Sequence, residues 1–269
     1  MNEIVFYYFS RSNIYLLMRK IALITGATSG IGRATAQILA SNGYDLIITG
    51  RRVELLNTLS QSIINETGAE VISLHFDVRD LNQVEKAIDS LSGKWADIDL
   101  LVNNAGLAVG IEPVHEGVID DWERMIDTNV KGLLYVSRKI SPRMVTRESG
   151  HIINVSSVAG HEIYPNGAAY CGSKHAVKAI TKAMRMDLLP YGIKVSSVSP
   201  GMVDTEFSLV RFKGDKVRAD TVYKGLTPLY ANDIAETILF IATRPAHVNI
   251  EDMIIMPTDQ ASTRDFRRR

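Results

Sequence analysis

Tyr170 and Lys174 stand four residues apart, and Ser157 lies thirteen residues before the tyrosine. Residues at i and i+4 share one face of a helix. A free phenol titrates near 10, too high for easy proton transfer at neutrality. A neighbouring ammonium favours the phenolate and lowers that value. A hydroxyl from a nearby strand end could polarise the same substrate oxygen. Tyr170, Lys174 and Ser157 therefore read as a proton-transfer site that needs a hydride partner.

Spacing alone is weak evidence. Tyr135 and Lys139 repeat the Tyr-x-x-x-Lys pattern, but Trp122 occupies the position thirteen residues upstream and offers no hydroxyl. An ordinary helix surface accounts for that second pair. What sets Tyr170 apart is the rest of the chain.

A hydride partner is suggested near the start. Thr25-Gly-Ala-Thr-Ser-Gly-Ile-Gly32 falls between an apolar run, Ile21–Thr25, and a stretch of helical periodicity, Ile31–Leu39. Gly26, Gly30 and Gly32 allow a tight turn and close backbone approach. Thr28, Ser29 and Ile31 lie within that turn, and the free N–H groups of the helix start suit a pyrophosphate. About 20 residues further on, an NAD site carries a carboxylate for the ribose hydroxyl. Here the sequence reads Thr49-Gly50-Arg51-Arg52. Two guanidiniums suit a 2′-phosphate instead, so Arg51 and Arg52 predict NADP(H) over NAD(H). Asp77-Val78 and Asn103-Asn104-Ala105-Gly106 end the third and fourth apolar runs. Carboxyl ends of strands are where open α/β sheets bind ligands, and Asp77 is expected to face an adenine edge. Asn-x-Gly is also ordinary turn chemistry.

Apolar runs and amphipathic stretches alternate along the chain. Strands are expected at 21–25, 46–49, 71–76, 100–102, 152–155, 195–198 and 253–256. Helices are expected at 31–39, 53–65, 81–91, 119–128, 129–147, 168–189 and 231–243. Continuous apolar strands separated by helices predict an α/β, doubly wound parallel sheet with helices on both faces. No Pro- or Gly-rich linker divides residues 20–269, so one dinucleotide-binding catalytic domain is expected there. Residues 203–229 lack periodicity and are read as a mobile flap over the site.

Composition narrows the classes. The chain has 269 residues, 46% hydrophobic and 22% charged, with no net charge. Nothing in that balance favours nucleic acid or an anionic membrane. A single cysteine, Cys171, precludes an intrachain disulfide and suits a reducing, cytoplasmic setting. Six scattered histidines show no ligand spacing, and no metal is expected. Residues 1–19 are read as a poorly ordered extension, with Met18 a possible alternative start. The apolar runs in it are too short to span a membrane.

Five motifs in order complete the reading: Thr25-Gly-x-x-x-Gly-x-Gly, Asn103-Asn-Ala-Gly, Ser157, Tyr170-x-x-x-Lys174 and Pro200-Gly201. Together they resemble the short-chain dehydrogenases/reductases over residues 20–257. The resemblance implies a single Rossmann-type domain of about seven strands and a homo-oligomer, with a tetramer favoured. It implies Tyr170 as general acid/base, with Lys174 lowering its pKa and bonding the nicotinamide ribose. Ser157 is implied on the substrate oxygen, and Asn129 as a relay holding water against Lys174. Pro200, Gly201, Val203 and Thr205 are implied against the nicotinamide carboxamide. Finer stretches, among them Asp121-Trp-Glu-Arg-Met-Ile-Asp-Thr-Asn and Thr205-Glu-Phe-Ser-Leu-Val-Arg-Phe-Lys-Gly-Asp, resemble the NADP-dependent 3-hydroxy acid dehydrogenases. A small 3-hydroxy acid needs a cation for its carboxylate, and Arg211 is the residue expected to supply it. A broad carbonyl reductase and a non-catalytic NADP sensor stand as alternatives. His161 and Cys171 are read as structural.

Overall fold

Strand β1 (Lys20–Ile24) opens a sheet whose apolar runs are long enough to be buried on both faces. The remaining strands are β2 (Tyr44–Gly50), β3 (Val71–His75), β4 (Leu100–Asn103), β5 (His151–Val155), β6 (Lys194–Pro200) and β9 (Asp252–Ile255). The seven run parallel in the order β3-β2-β1-β4-β5-β6-β9. The order reverses between β1 and β4, which opens a crevice at their carboxyl ends. The computed structural model describes residues 19–269. The expectations for residues 1–18 lie outside that range. Arg19, assigned above to the extension, belongs to the folded body: it donates to Ala40 O at 2.5 Å and faces Asp45 at 3.3 Å.

Helices α1 (Gly30–Ser41), α2 (Val53–Thr67) and α9 (Ala231–Ala242) cover one face. Leu39, Leu56 and Ile238 pack there against Leu46 and Ile48. The other face is covered by α3 (Leu81–Asp89), α5 (Leu133–Arg147) and α6 (Ala168–Leu188). Ile88, Val136 and Ile140 meet Leu23, Leu101 and Ile152 on that side. Sequence periodicity located every one of these elements to within a few residues, because both sheet faces need a continuous apolar cover.

Two local readings change. The helices expected at 119–128 and 129–147 form one run: α4 (Ile119–Ile126), a π turn over Asp127–Gly132, and α5. Such turns cluster at functional sites, and this one carries Asn129 inward, 2% exposed. The segment 203–229, read as unstructured, contains β7 (Val203–Asp204), α7 (Phe207–Arg211), α8 (Lys216–Thr221) and β8 (Leu229–Tyr230). β7 and β8 pair in parallel beside the main sheet. The Tyr223 hydroxyl stitches the segment together by donating to Val203 O at 2.7 Å. Elements of two to six residues are too short to imprint a period on the sequence.

Candidate active site

One cleft of about 370 Å³ lies over the carboxyl ends of the strands. It is lined by Gly26, Thr28, Ser29, Gly30, Ile31, Arg51, Arg52, Asp77, Val78, Asn104, Ser157, Tyr170, Lys174, Pro200, Gly201, Val203 and Thr205. Gly32, Asn129 and Arg211, the other expected site residues, are not among the residues lining it. The topology thus gathers residues separated by as much as 179 positions, Gly26 to Thr205.

The glycine turn is held against β4. Thr25 Oγ1 accepts from Asn104 N at 3.0 Å and Ala105 N at 2.9 Å, and Asn104 Nδ2 donates to Thr25 O at 2.9 Å. A Cβ on Gly32 would lie 2.4 Å from both Asn104 Nδ2 and Gly26 O, so only glycine lets α1 start so close to the crossover. Gly30 takes φ +52°, with the Thr205 side chain 3.3 Å from where its Cβ would sit. This cradle, with a helix N-terminus behind it, fits a dinucleotide pyrophosphate.

Beyond the turn, Arg52 donates to Thr28 Oγ1 at 3.0 Å and Ser29 Oγ at 2.8 Å, and pairs with Glu206 at 3.0 Å. Arg51 points outward, 3.8 Å from Asp77. Guanidinium and hydroxyl donors at this rim fit the phosphate of NADP(H). Asp77 has a local partner besides. Its carboxylate is spent on Arg79, with contacts at 3.0 and 2.7 Å, and its N–H on Gln83. Burial pushes the Asp77 carboxyl up, but the bonds and charge of Arg79, helped by Arg51, hold it below the ordinary range. Asp77 and Val78 both line the cleft at this rim.

At the other end of the cleft Tyr170 is 8% exposed and Lys174 6%. Lys174 Nζ donates to Val155 O at 2.9 Å, and burial lowers its pKa to about 8. The ammonium thus bonds the end of β5. Burial raises the Tyr170 pKa, while the Arg211 guanidinium and a hydrogen bond from Ser157 pull it down. Ser157 Oγ accepts from Ala159 N at 3.1 Å, which fixes it at the end of β5. Asn129 is committed to its own neighbourhood: Oδ1 accepts from Leu107 N at 2.8 Å, and Nδ2 donates to Leu107 O and Ser173 Oγ. It ties the π turn to the loop after β4 and keeps one Oδ1 lone pair for a water. A Cβ on Gly106 would fall 3.2 Å from that Oδ1 and 3.5 Å from Lys174 Nζ, so this glycine keeps the corridor open.

Arg211 sits in an aromatic clamp. Its guanidinium lies 5.2 Å from the Tyr170 ring centre, 5.5 Å from Tyr164 and 5.7 Å from Phe207. It donates to the Tyr164 hydroxyl, and its Nε is buried without a partner among the described residues. Stacking on aromatic faces suits a planar cation. Tyr164, Phe207 and Glu206 were not foreseen. Tyr164 lies in an aperiodic loop, and Glu206 and Phe207 adjoin Thr205 without a spacing of their own. The second Tyr-x-x-x-Lys pair proves ordinary, since Lys139 on α5 pairs with Asp89 of α3 at 2.9 Å. His161 bonds Asp252 at 3.0 Å and Ser199 at 3.1 Å, a bracing role between β6 and β9.

Comparison with known proteins adds the family. Residues 20–215 match the model of the short chain dehydrogenases. The chain belongs to that family. It is 45% identical over 242 residues to an NADP-dependent 3-hydroxy acid dehydrogenase of Salmonella typhi, covering 90% of this chain and 96% of that one. It is 44% identical over 239 residues to a serine 3-dehydrogenase of Rhizobium radiobacter, covering 89% and 94%. Among solved structures it resembles the closed form of a serine dehydrogenase complexed with NADP+, with a TM-score of 0.85, 42% identity and coverage of 90% and 96%. The family places this chain among the oxidoreductases acting on CH–OH groups. The seven-stranded parallel sheet found here is the frame in which such a dehydrogenase carries its site. Among the described residues no helix is long and apolar enough to cross a membrane.

Proposed function

We propose that this short chain dehydrogenase uses NADP(H) to interconvert the hydroxyl and carbonyl of a small 3-hydroxy acid, of the serine, allo-threonine, 3-hydroxypropionate or 3-hydroxyisobutyrate type. The observation that carries the substrate class is Arg211, a clamped cation 5.2 Å from the ring of the proposed acid/base Tyr170. A carboxylate one carbon from the reacting centre would reach that cation while its hydroxyl meets the phenol. The glycine turn, Thr28, Ser29, Arg51 and Arg52 would hold the cofactor, as the donor chemistry of the rim supports. When bound, the cofactor supplies or accepts the hydride. The names of the relatives, NADP-dependent 3-hydroxy acid dehydrogenase and serine 3-dehydrogenase, support the same reading.

The chain's own residues handle the proton. In reduction the buried phenol of Tyr170 is neutral and gives its proton to the carbonyl oxygen. In oxidation it takes the proton from the hydroxyl, a state that the Arg211 charge favours. Ser157 donates to the same oxygen. Lys174 and Asn129 hold the inner end of the cleft, from which a water can return the proton. A homo-oligomer, a tetramer by family likeness, is the assembly we infer. The open edge of β9 with Ile254 half-exposed supports it. The lone, buried Cys171 supports a cytoplasmic setting.

The test is a panel of L-serine, 3-hydroxyisobutyrate, 3-hydroxypropionate and simple ketones, followed at the NADPH absorbance. Carboxylate substrates should turn over with the higher kcat/KM. Arg211→Ala should raise their KM roughly 10- to 100-fold, the worth of a charge-assisted bond. An unchanged KM would remove Arg211 from the site, and a preference for the simple ketones would favour a broad carbonyl reductase.

A further inference from the structure

Residues 257–269 turn back after β9 as a small hairpin. Gln260 and Phe266 pair antiparallel, Ala261 N donates to Asp265 O at 2.9 Å, and Arg267 N donates to Asp259 O at 2.8 Å. Ser262 Oγ bonds Asp265 Oδ2 across the tip at 2.6 Å. The hairpin touches two separate parts of the molecule. At its tip, Thr263 N and Oγ1 donate to Glu162 Oε2 at 2.8 and 3.2 Å, and Oγ1 also reaches Ile163 O at 3.3 Å. The next residue, Tyr164, is the phenol that holds Arg211. At its base, Asp259 Oδ2 accepts from Thr227 N at 3.1 Å, and Arg269 N donates to Gly225 O at 2.7 Å. Arg268 donates to Lys224 O and Val222 O. Within that stretch Tyr223 OH meets Ser208 Oγ of α7 at 2.9 Å, three residues before Arg211.

Both routes end on Arg211: one through Tyr164, the other through Tyr223 and α7. Asp259 joins them. It is 5% exposed, its Oδ1 receives Arg267 Nε and Nη2 at 2.8 and 2.5 Å, and its Oδ2 receives Thr227 N. One carboxylate thus closes the hairpin and fastens the segment 222–227 to it. A buried acceptor with three donors fixes geometry more strongly than an exposed pair.

We propose that the C-terminal hairpin is a strap that sets the position of Arg211 by pinning the two walls of the substrate pocket together, with Asp259 as its positioning residue. This rests on Arg211 as the carboxylate partner. The strap makes the pocket selective for small 3-hydroxy acids, because a fixed cation accepts a carboxylate at one distance from the reacting carbon. Among the described residues the Asp259 side chain hydrogen-bonds only Thr227 and Arg267, while its neighbour Gln260 accepts from Met202 N at 2.8 Å, beside Pro200 and Gly201 of the cleft.

The experiment uses the full-length chain and Asp259→Asn. Hydrogen exchange, read without substrate, is the first measurement. His161 N and Glu162 N donate to Val158 O, and Asp259 touches neither. Their exchange should quicken in the variant roughly tenfold, while α6 keeps its protection. In steady state the KM for 3-hydroxypropionate should rise roughly tenfold, with kcat and NADPH affinity within about twofold, the signature of a displaced positioning group. A lowered melting temperature with unaltered KM and unaltered protection at 161–162 overturns the proposal. Should Asp259→Asn not fold, Glu162→Ala removes the carboxylate that accepts from both Thr263 N and Thr263 Oγ1 and should raise the same KM; an unchanged KM counts against the strap. Arg211→Ala runs beside them. If it leaves KM unchanged the carboxylate reading fails, whereas exchange at 161–162 still judges the strap.

Discussion

Burial raises the Tyr170 phenol, and the Arg211 guanidinium partly offsets that through charge. On the function proposed above, one cation would serve both the proton and the carboxylate. Removing it should leave reduction, which needs the neutral phenol, less affected than oxidation, which needs the phenolate. In Arg211→Ala the limb of oxidative kcat/KM that rises with pH should move to higher pH, because the phenol loses the charge that lowers it. A limb that stays in place would show that another group sets the phenol. Tyr170→Phe should lose roughly 10²- to 10⁴-fold in turnover, the usual worth of positioned proton transfer, and still bind NADPH. Fluorescence titration and turnover on the same sample separate the two effects. At this scale the sequence was informative where residue type and fixed spacing bring side chains together: Tyr170, Lys174 and Ser157 all line the cleft. It was silent on Tyr164, whose contact with Arg211 joins a loop to α7, and on the pairing of Asp77 with Arg79 two residues away.

The elements that carry these residues were legible for a physical reason. A parallel sheet buried on both faces demands unbroken apolar strands, and its helices demand one apolar stripe each. The short pieces α7, α8, β7 and β8 carry no such demand, so the segment 203–229 read as loop. Its entry holds a charge with a consequence. Glu206 precedes α7 and pairs with Arg52 at 3.0 Å, on the guanidinium proposed for the cofactor phosphate. A 2′-phosphate must compete with that carboxylate. Both side chains are about half exposed, so the effect is modest. Glu206→Gln should tighten NADPH roughly two- to fivefold and leave NADH unchanged, with the difference shrinking as salt rises. Calorimetry with both cofactors checks this, and an equal change in each would place Glu206 outside the phosphate's reach.

At the scale of the whole molecule, the sheet that gathers the site also contains its acid-sensitive point. His151 begins β5 in the middle of the sheet, 5% exposed, with Nε2 on Ser196 Oγ at 2.9 Å and Nδ1 buried without a partner among the described residues. Burial, and to a smaller degree the charge of Lys194, lowers its pKa to about 3. In the unfolded chain the same ring titrates near 6.5. Between these values the unfolded state binds a proton that the folded state refuses, so stability falls as pH falls through that window. The full shift corresponds to a loss on the order of 5 kcal/mol by pH 3, a large share of the stability of an ordinary domain. His151→Gln keeps a polar group facing Ser196 and removes the titration. Urea midpoints measured from pH 7 to pH 4 should therefore decline less steeply in the variant than in the parent chain. Parallel declines would show that the carboxylates, rather than this imidazole, set the acid limit.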